Sequence, residues 1–547
     1  MNILITHGYL LTGTGSNLYV NNIVRELCKK GHNIFLVCQE YEPMSFDYVT
    51  EFYKFNSDNK THSLEGKKET KYKGSCIVYR PNLNGFLPVY VYDHYDGFEV
   101  KEFPDCSNEE INRYIEQNRN ALELITSTHK INRINTNHTV LFPHIVSGIS
   151  KIKEIKHYIT VHGSALNFTV KKDERFVAFA KSGFDSVQEI IVDSHHAEQE
   201  LLEFLEEKKW NNFKEIVEII PAGVDISNFV ILNKPKKEQL EIFTKNIAEA
   251  LVKGKGRTKK QNQVLMYANP TSLEESCKEL RASYDYRLID QDIQEKIASI
   301  NENDPTILFV GKYLWTKGIY LILLAIPEIL IKFPNAKFVF VGFGPFREEA
   351  EILLNFLANI NLNGLRQFIE KTTFFKNNEN EIYPLLSEIL TAKKESIERK
   401  VKELPTDLRK SVIFTGIVSH KHLVQLLPAV DVQIAPSVFP EAFGMVAIEA
   451  MACGVSPILT YQSAFKEIFD ELQEQIKLYN IPLQRVNLDS AASENIAHNI
   501  SVYLENKEIL EREEKTKEYK NDLRRLVVEN YSWEGITLKY IAVFERK

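Results

Sequence analysis

Phe439-Pro440-Glu441-Ala442-Phe443-Gly444-Met445-Val446-Ala447-Ile448-Glu449-Ala450-Met451-Ala452-Cys453-Gly454 is the stretch whose reading decides the fold. An apolar run, Val432 to Ala435, precedes it and another, Ser456 to Thr460, follows it, so the stretch supplies the loop and helix of a strand-helix-strand unit. Gly454 ends the helix before the second strand. Glu441 precedes the helix and can address a ligand at its N-terminal end. There the N–H groups of Phe443, Gly444 and Met445 are expected to form a site for sugar hydroxyls or phosphate oxygens. Glu449 lies among Val446, Ala447, Ile448, Ala450 and Met451, and a carboxylate within so apolar a helix needs a partner. The plainer alternative makes Glu441 a charge on the helix dipole and Glu449 a solvated helix residue.

Working outward, the same alternation of short apolar runs and amphipathic stretches recurs in two series. The later one starts at Thr306 to Val310, continues through a helix from Gly318 to Phe333, and adds strands at Lys337 to Val341, Ser411 to Phe414, Val432 to Ala435 and Ser456 to Thr460. The earlier one starts at Asn2 to Thr6, turns through Gly13-Thr14-Gly15-Ser16 into a helix over 17–30, and resumes at His32 to Cys38. Its further strands are expected at Thr139 to Phe142, His157 to Val161, Glu189 to Asp193 and Val217 to Ile220. The fold class expected is α/β, two Rossmann-like domains with a cleft between them and helical insertions. The expected domains are 1–230 with a returning C-terminal helix at 531–547, a polar helical linker at 231–304, and 305–530 with an insertion at about 358–408. Residues 41–110, rich in Tyr, Phe, Asp and Pro, read as an elaborated loop or hairpin.

A chain of 547 residues exceeds the size of one hydrophobic core. With 44% hydrophobic and 26% charged residues it belongs with ordinary globular proteins. A net charge of -7 argues against a dedicated nucleic-acid binder. The six cysteines show no CxxC pair and no metal-like spacing, and read as reduced thiols. Neither a signal peptide nor an apolar stretch of the ~18 residues of a membrane span is visible. A cytoplasmic location is expected, with peripheral membrane contact left open. The basic run Lys253 to Lys260 reads as a solvated turn, and Asp290-Gln291-Asp292 as an ordinary charge pair rather than a metal pair.

Four further motifs sit at strand ends. Val310-Gly311-Lys312-Tyr313-Leu314-Trp315-Thr316-Lys317-Gly318 places two lysines after a glycine turn, where they could clamp a diphosphate whose charge grows as a glycosidic bond breaks. Val341-Gly342-Phe343-Gly344-Pro345 ends the next strand. Gly13, Gly15 and Ser16 can bring backbone N–H groups up to a phosphate. His162, in Thr160-Val161-His162-Gly163, stands at the carboxyl end of a strand.

The run from Val412 to Thr460 closely resembles the donor-binding half of family 4 retaining glycosyltransferases of the GT-B fold (glycosyl transferases group 1). The resemblance covers about 1–38, 139–230 and 306–547, less the polar insertion. It implies that Glu441 contacts the donor sugar near the reacting carbon and that Glu449 holds the ribose hydroxyls. It also implies that Lys312 and Lys317 meet the diphosphate, with Lys312 where the family usually has arginine. Gly342, Gly344, Ala442, Phe443, Gly444 and Met445 then line the donor, as do Gly13, Gly15 and Ser16, and His162 positions the sugar. Gln462-Ser463-Ala464-Phe465 departs from the family's glycines there. Ile219-Ile220-Pro221-Ala222-Gly223-Val224-Asp225 and Tyr531-Ser532-Trp533 resemble the family's domain-end and crossover signatures.

The implied reaction moves a hexose from a nucleoside-diphosphate sugar to a carbohydrate, lipid or small-molecule hydroxyl, with retention, without a metal or other cofactor. Two rivals remain at this point: a sugar-nucleotide epimerase and a non-catalytic subunit that binds a nucleotide sugar. The segment Tyr90 to Phe98 could hold a carbohydrate or pack a long loop, and Lys151 to Lys156 could face anionic lipid or solvent.

Overall fold

The computed structural model describes residues 1–13, 15–91, 95–149, 155–252 and 255–546. Thr14, Tyr92 to His94, Lys151 to Glu154, Lys253 and Gly254 lie outside the described residues, and with them parts of the glycine turn, the aromatic segment and both basic runs. The chain divides into two compact units, Met1–Gly223 with Tyr531–Lys547, and Val224–Asn530.

The first unit is built on nine strands: β1 (Asn2–Thr6), β2 (Asn33–Val37), β3 (Val49–Phe55), β4 (His62–Lys67), β5 (Ser75–Arg80), then, past the small parallel pair β6 (Phe86–Val89) and β7 (Glu99–Glu102), β8 (Arg133–Asn137), β9 (Lys156–Thr160), β10 (Glu189–Val192) and β11 (Val217–Ile219). Their order is β11-β10-β9-β8-β1-β2-β5-β3-β4, parallel except for the β3–β4 hairpin. The segment 41–110 is therefore part sheet: it adds the hairpin and, between it and β2, the strand β5.

One strand differs from expectation. Thr139 to Phe142 is a loop entering the helix Phe142–Ser147, and the central strand is the more polar Arg133–Asn137. Its buried polar side chains are satisfied by neighbours: Asn135 Nδ2 donates to Thr160 Oγ1 at 3.0 Å, Thr136 Oγ1 pairs with His157 Nε2 at 2.9 Å, and Asn137 Nδ2 donates to Thr6 O at 3.1 Å. Tertiary hydrogen bonding thus outweighs local apolarity.

The C-terminal helix Trp533–Glu545 packs on the helix Ser16–Lys29. Tyr540 OH lies 2.7 Å from Tyr19 OH and 3.0 Å from Thr160 Oγ1, and Trp533 abuts Gly223.

The second unit holds five parallel strands, β12 (Thr306–Val310), β13 (Lys337–Val341), β14 (Val412–Phe414), β15 (Val432–Ala435) and β16 (Ser456–Leu459), in the order β14-β13-β12-β15-β16. They are mostly apolar because helices cover both faces. The helix Ile319–Lys332, IYLILLAIPEILIK, is buried along nearly its whole length and packs against Ala492–Arg512. The chain runs β12-β13-β14 in one direction and returns to β15 on the other side of β12, so the order reverses between β12 and β15. A doubly wound sheet binds its ligand at that point, outside the carboxyl ends of the strands.

The polar segments are packed, not loosely attached. Gln261–Tyr267 lies on the helix Phe346–Ala358, Lys236–Ile247 lies on His420–Leu426, and Lys394–Lys402 lies on Ile319–Lys332. Arg257 corrects the reading of Lys253 to Lys260 as a solvated turn. It is fully buried, bonded to Glu351 and, at 3.1 Å, to Glu348. Asp290 is likewise internal: both its oxygens take Arg347 at 2.7 Å, and Lys296 adds a third contact at 2.7 Å. Burial alone would raise the Asp290 carboxyl, but Arg347 and Lys296 outweigh it and hold the group well below the usual range. Among the described residues no helix is long and apolar enough to cross a membrane, and the six cysteines are buried thiols.

Candidate functional site

The loops leaving β12 and β15 meet at the reversal point of the second sheet. Val438 N–H donates to Thr316 O at 2.8 Å and Ser437 Oγ donates to the same carbonyl at 3.0 Å. This pairing brings Lys317, which follows β12, onto Glu441, which follows β15: Lys317 Nζ forms an ion pair with Glu441 Oε1. Glu441 is further braced by Ser463 Oγ, which accepts its N–H at 2.9 Å, while Gln462 Nε2 donates to Ser437 O at 2.5 Å. Gln462 and Ser463 thus shape this loop.

Glu441 ends well before the helix Met445–Ala452, whose N-cap, Gly444, adopts a φ of 110°. Gly444 is forced by packing as well as by conformation, since a Cβ there would stand 2.3 Å from the Phe465 ring. The helix N-terminus therefore opens immediately after Ala442 and Phe443. Within the helix, Glu449 is 7% exposed and finds the partner its burial demands: His420 Nε2 at 3.1 Å. Burial works against a charge on His420, and the Glu449 carboxylate, by attraction and by hydrogen bond, more than offsets it, so the imidazole lies above its ordinary value. His420 carries no motif of its own in the sequence. Its only signal is its place at the start of the helix after β14, another strand of the same sheet.

Lys312 stands earlier in the same loop. Its ammonium lies 5.9 Å from the centroid of Phe343, in the loop after β13. Gly342 and Gly344 allow that loop to lie against the one after β12: Gly342 has φ 149°, and a Cβ there would fall 1.8 Å from Gly311 O.

In the first unit, Gly13 and Gly15 both have positive φ, and Gly15 is the N-cap of Ser16–Lys29. His162 follows β9 and is buried, with its pKa pushed down to about 3 by burial and by His7. Asn137 Nδ2 is committed to Thr6 O, so Asn137 Oδ1 accepts from His162 Nε2–H at 2.9 Å, and the neutral ring keeps its lone pair on Nδ1. Two histidines not singled out from sequence stand beside it. The His138 ring lies 4.9 Å from His162 and 5.8 Å from His7, and burial depresses all three. His138 directly follows β8. Placing that strand at Thr139 to Phe142 concealed this strand-end position.

Comparison with known proteins bears on both units. Residues 290–372 and 391–522 match the model of the family described as glycosyl transferases group 1. An uncharacterised glycosyltransferase of Methanocaldococcus jannaschii is 26% identical over 247 residues, 45% of this chain and 46% of that protein. A GDP-mannose-dependent alpha-(1-6)-phosphatidylinositol dimannoside mannosyltransferase of Mycobacterium tuberculosis is 41% identical over 73 residues, 13% of this chain and 17% of that one. The chain thus spans less than half the length of these curated relatives.

Among solved structures, trehalose-6-phosphate from E. coli bound with UDP-2-fluoro glucose aligns with a TM-score of 0.53 at 9% identity, over 100% of this chain and 99% of that one. A UDP-forming trehalose-phosphate synthase from Burkholderia xenovorans aligns with a TM-score of 0.52 at 10% identity, over 100% and 99%. At these identities the likeness concerns the fold: α/β, with two Rossmann-like units of the GT-B class.

Proposed function

We propose that this protein is a retaining glycosyltransferase that moves a hexose from a nucleoside-diphosphate sugar to an acceptor hydroxyl. The observation that carries the reading is the meeting of Lys317 and Glu441 at the reversal point of the second sheet, beside the Glu449-bearing helix. The second unit is assigned the donor and the first unit the acceptor side. On arrival of the donor, the β-phosphate takes Lys317 from Glu441, which frees the carboxylate to face the sugar. Lys312 and the N–H groups opening the helix at Phe443, Gly444 and Met445 add charge stabilisation as the bond from the anomeric carbon to the phosphate oxygen breaks. The bond to the acceptor oxygen forms on the same face, and the acceptor proton passes to the departing phosphate, giving a nucleoside diphosphate and a glycoside. No protein nucleophile and no metal is required by this route. Glu449, oriented by His420, holds the ribose. His162, neutral at its depressed pKa, is assigned to sugar positioning.

The match to glycosyl transferases group 1 supports sugar transfer over epimerisation. The test is release of sugar from a panel including UDP-glucose and GDP-mannose, by the wild-type protein and by Glu441→Ala and Glu449→Ala. We expect Glu441→Ala to lower kcat by about two orders of magnitude and Glu449→Ala to act mainly on KM. Unchanged turnover in both variants would sink the assignment, and no release from any donor would favour the silent binding subunit.

A further inference from the structure

The loop that carries Lys312 and Lys317 is held from two sides. Thr316 O is fixed by the loop after β15. On the other side, Trp315 lays its indole on the ring of Tyr383, with centroids 4.9 Å apart and planes 9° from parallel. Tyr383 belongs to the segment 373–390, which the match to glycosyl transferases group 1 leaves out.

Tyr383 is well anchored. It is 4% exposed, its hydroxyl donates to Glu349 Oε2 at 2.9 Å, and its N–H donates to Phe375 O at 3.0 Å. Tyr320 and Phe346 pack around its ring. A bridge between Lys376 and Ile382 closes the chain into a small hairpin that delivers the tyrosine. The ring is thus a fixed surface, and Trp315 is the side chain that settles on it. The turn at Trp315–Lys317 has little regularity of its own, being one short 3₁₀ turn closed by the left-handed Gly318. Its geometry depends on what it leans against.

We propose that Tyr383 is a positioning residue for the donor site: by stacking on Trp315 it holds the Lys312–Lys317 loop in the shape that receives the donor diphosphate. The proposal rests on the role given above to Lys317, and it assigns a task to an insertion that the sequence left without one.

The test measures the affinity of UDP and of GDP by titration calorimetry for the full chain. Tyr383→Ala, which removes the stack, should weaken binding by about tenfold, the size of one aromatic pair. Tyr383→Phe, which keeps the stack and loses only the bond to Glu349, should stay within about twofold of wild type. Where Tyr383→Ala does not fold, Trp315→Leu removes the same stack from the more exposed partner and should reproduce the loss. Lys317→Ala serves as the reference for the site. Wild-type affinity in the stack-removing variant, or equal loss in Tyr383→Phe and Tyr383→Ala, overturns the positioning role while Lys317→Ala still weakens binding. Absence of UDP and GDP binding by the wild-type protein, or binding indifferent to Lys317→Ala, overturns the reading of the site and the proposal together.

Discussion

Replacing Asp290 by alanine should destabilise the second unit by about 3–5 kcal/mol, the cost of breaking a buried ion pair from one side. Asp290 is 1% exposed and Arg347 3%. Three charged contacts converge on the carboxylate, two from Arg347 and one from Lys296, each at 2.7 Å. One such pair at about 4 Å is worth about 4 kcal/mol at an effective dielectric near 20, before desolvation is charged against it. In the variant Arg347 keeps Asn262 at 2.8 Å and Glu351 at 3.2 Å, but it shares Glu351 with Arg257, whose other carboxylate is Glu348, so Arg347 is left without a carboxylate of its own. The assay is urea unfolding at pH 7, with the two units fitted as separate transitions. Asp292→Ala is the control, since that carboxylate contacts Lys296 at 2.9 Å and Asn262 at 2.9 Å nearer the surface, and it should cost about 1 kcal/mol. The pH dependence has a definite sign. The folded-state pKa of Asp290 is depressed, so its contribution is present above the unfolded value near 4 and is lost as pH falls toward the folded one. A loss below about 1 kcal/mol for Asp290→Ala would refute the claim that this network ties residues 255–300 to the helix Phe346–Ala358.

Three further outcomes follow from the same geometry. Gly342→Ala should cost at least about 2 kcal/mol in unfolding and reduce UDP or GDP affinity, because its Cβ would need Gly311 O to move from 1.8 Å; wild-type stability would contradict the packing of these two loops. Burial pushes Glu349 up to about 7 against the bonds from Tyr383 and Phe375, so its contribution is complete below the unfolded value near 4.5 and lost as pH rises toward 7. The melting temperature of the wild type, measured against Glu349→Gln, should therefore fall by a few degrees between pH 5 and 7.5; parallel curves would contradict it. The raised pKa of His420 has a different cause but the same direction of loss: its attraction for Glu449 is fully present below about 6.5 and is lost as pH rises through the folded value, so His420→Ala should lower the melting temperature more at pH 6 than at pH 9.

The second sheet was readable because its strands are buried on both faces and therefore mostly apolar. Lys337–Val341 and Val432–Ala435 fall where the apolar runs place them. The failure at β8 has the same origin. Arg133–Asn137 is central yet polar, and only its contacts with Thr160, His157 and Thr6 explain why a segment reading RINTN can be a strand. Periodicity sees neither those partners nor the hydrogen bonds they make. Arg257 escaped for a related reason: lysines surround it in sequence, and its burial depends on Glu348 and Glu351, about ninety residues away.

The site divides along the same line. Residues proposed to meet the donor through their backbone or at a strand end, such as Gly342, Gly444, Lys317 and Glu441, leave a local pattern, because the turn and the charge must occur together. Residues that act by supporting another side chain leave none. His420 supports Glu449 and Tyr383 supports Trp315, each from a part of the chain whose own sequence is unremarkable. The polar insertions therefore change meaning once folded. They looked like additions beside a nucleotide-binding sheet, yet their buried arginines and tyrosines grip the helix after β13 and the loop after β12. A deletion of 373–390 would remove the Tyr383 support of the Lys312–Lys317 loop, while the residues of β12 to β16 lie outside it.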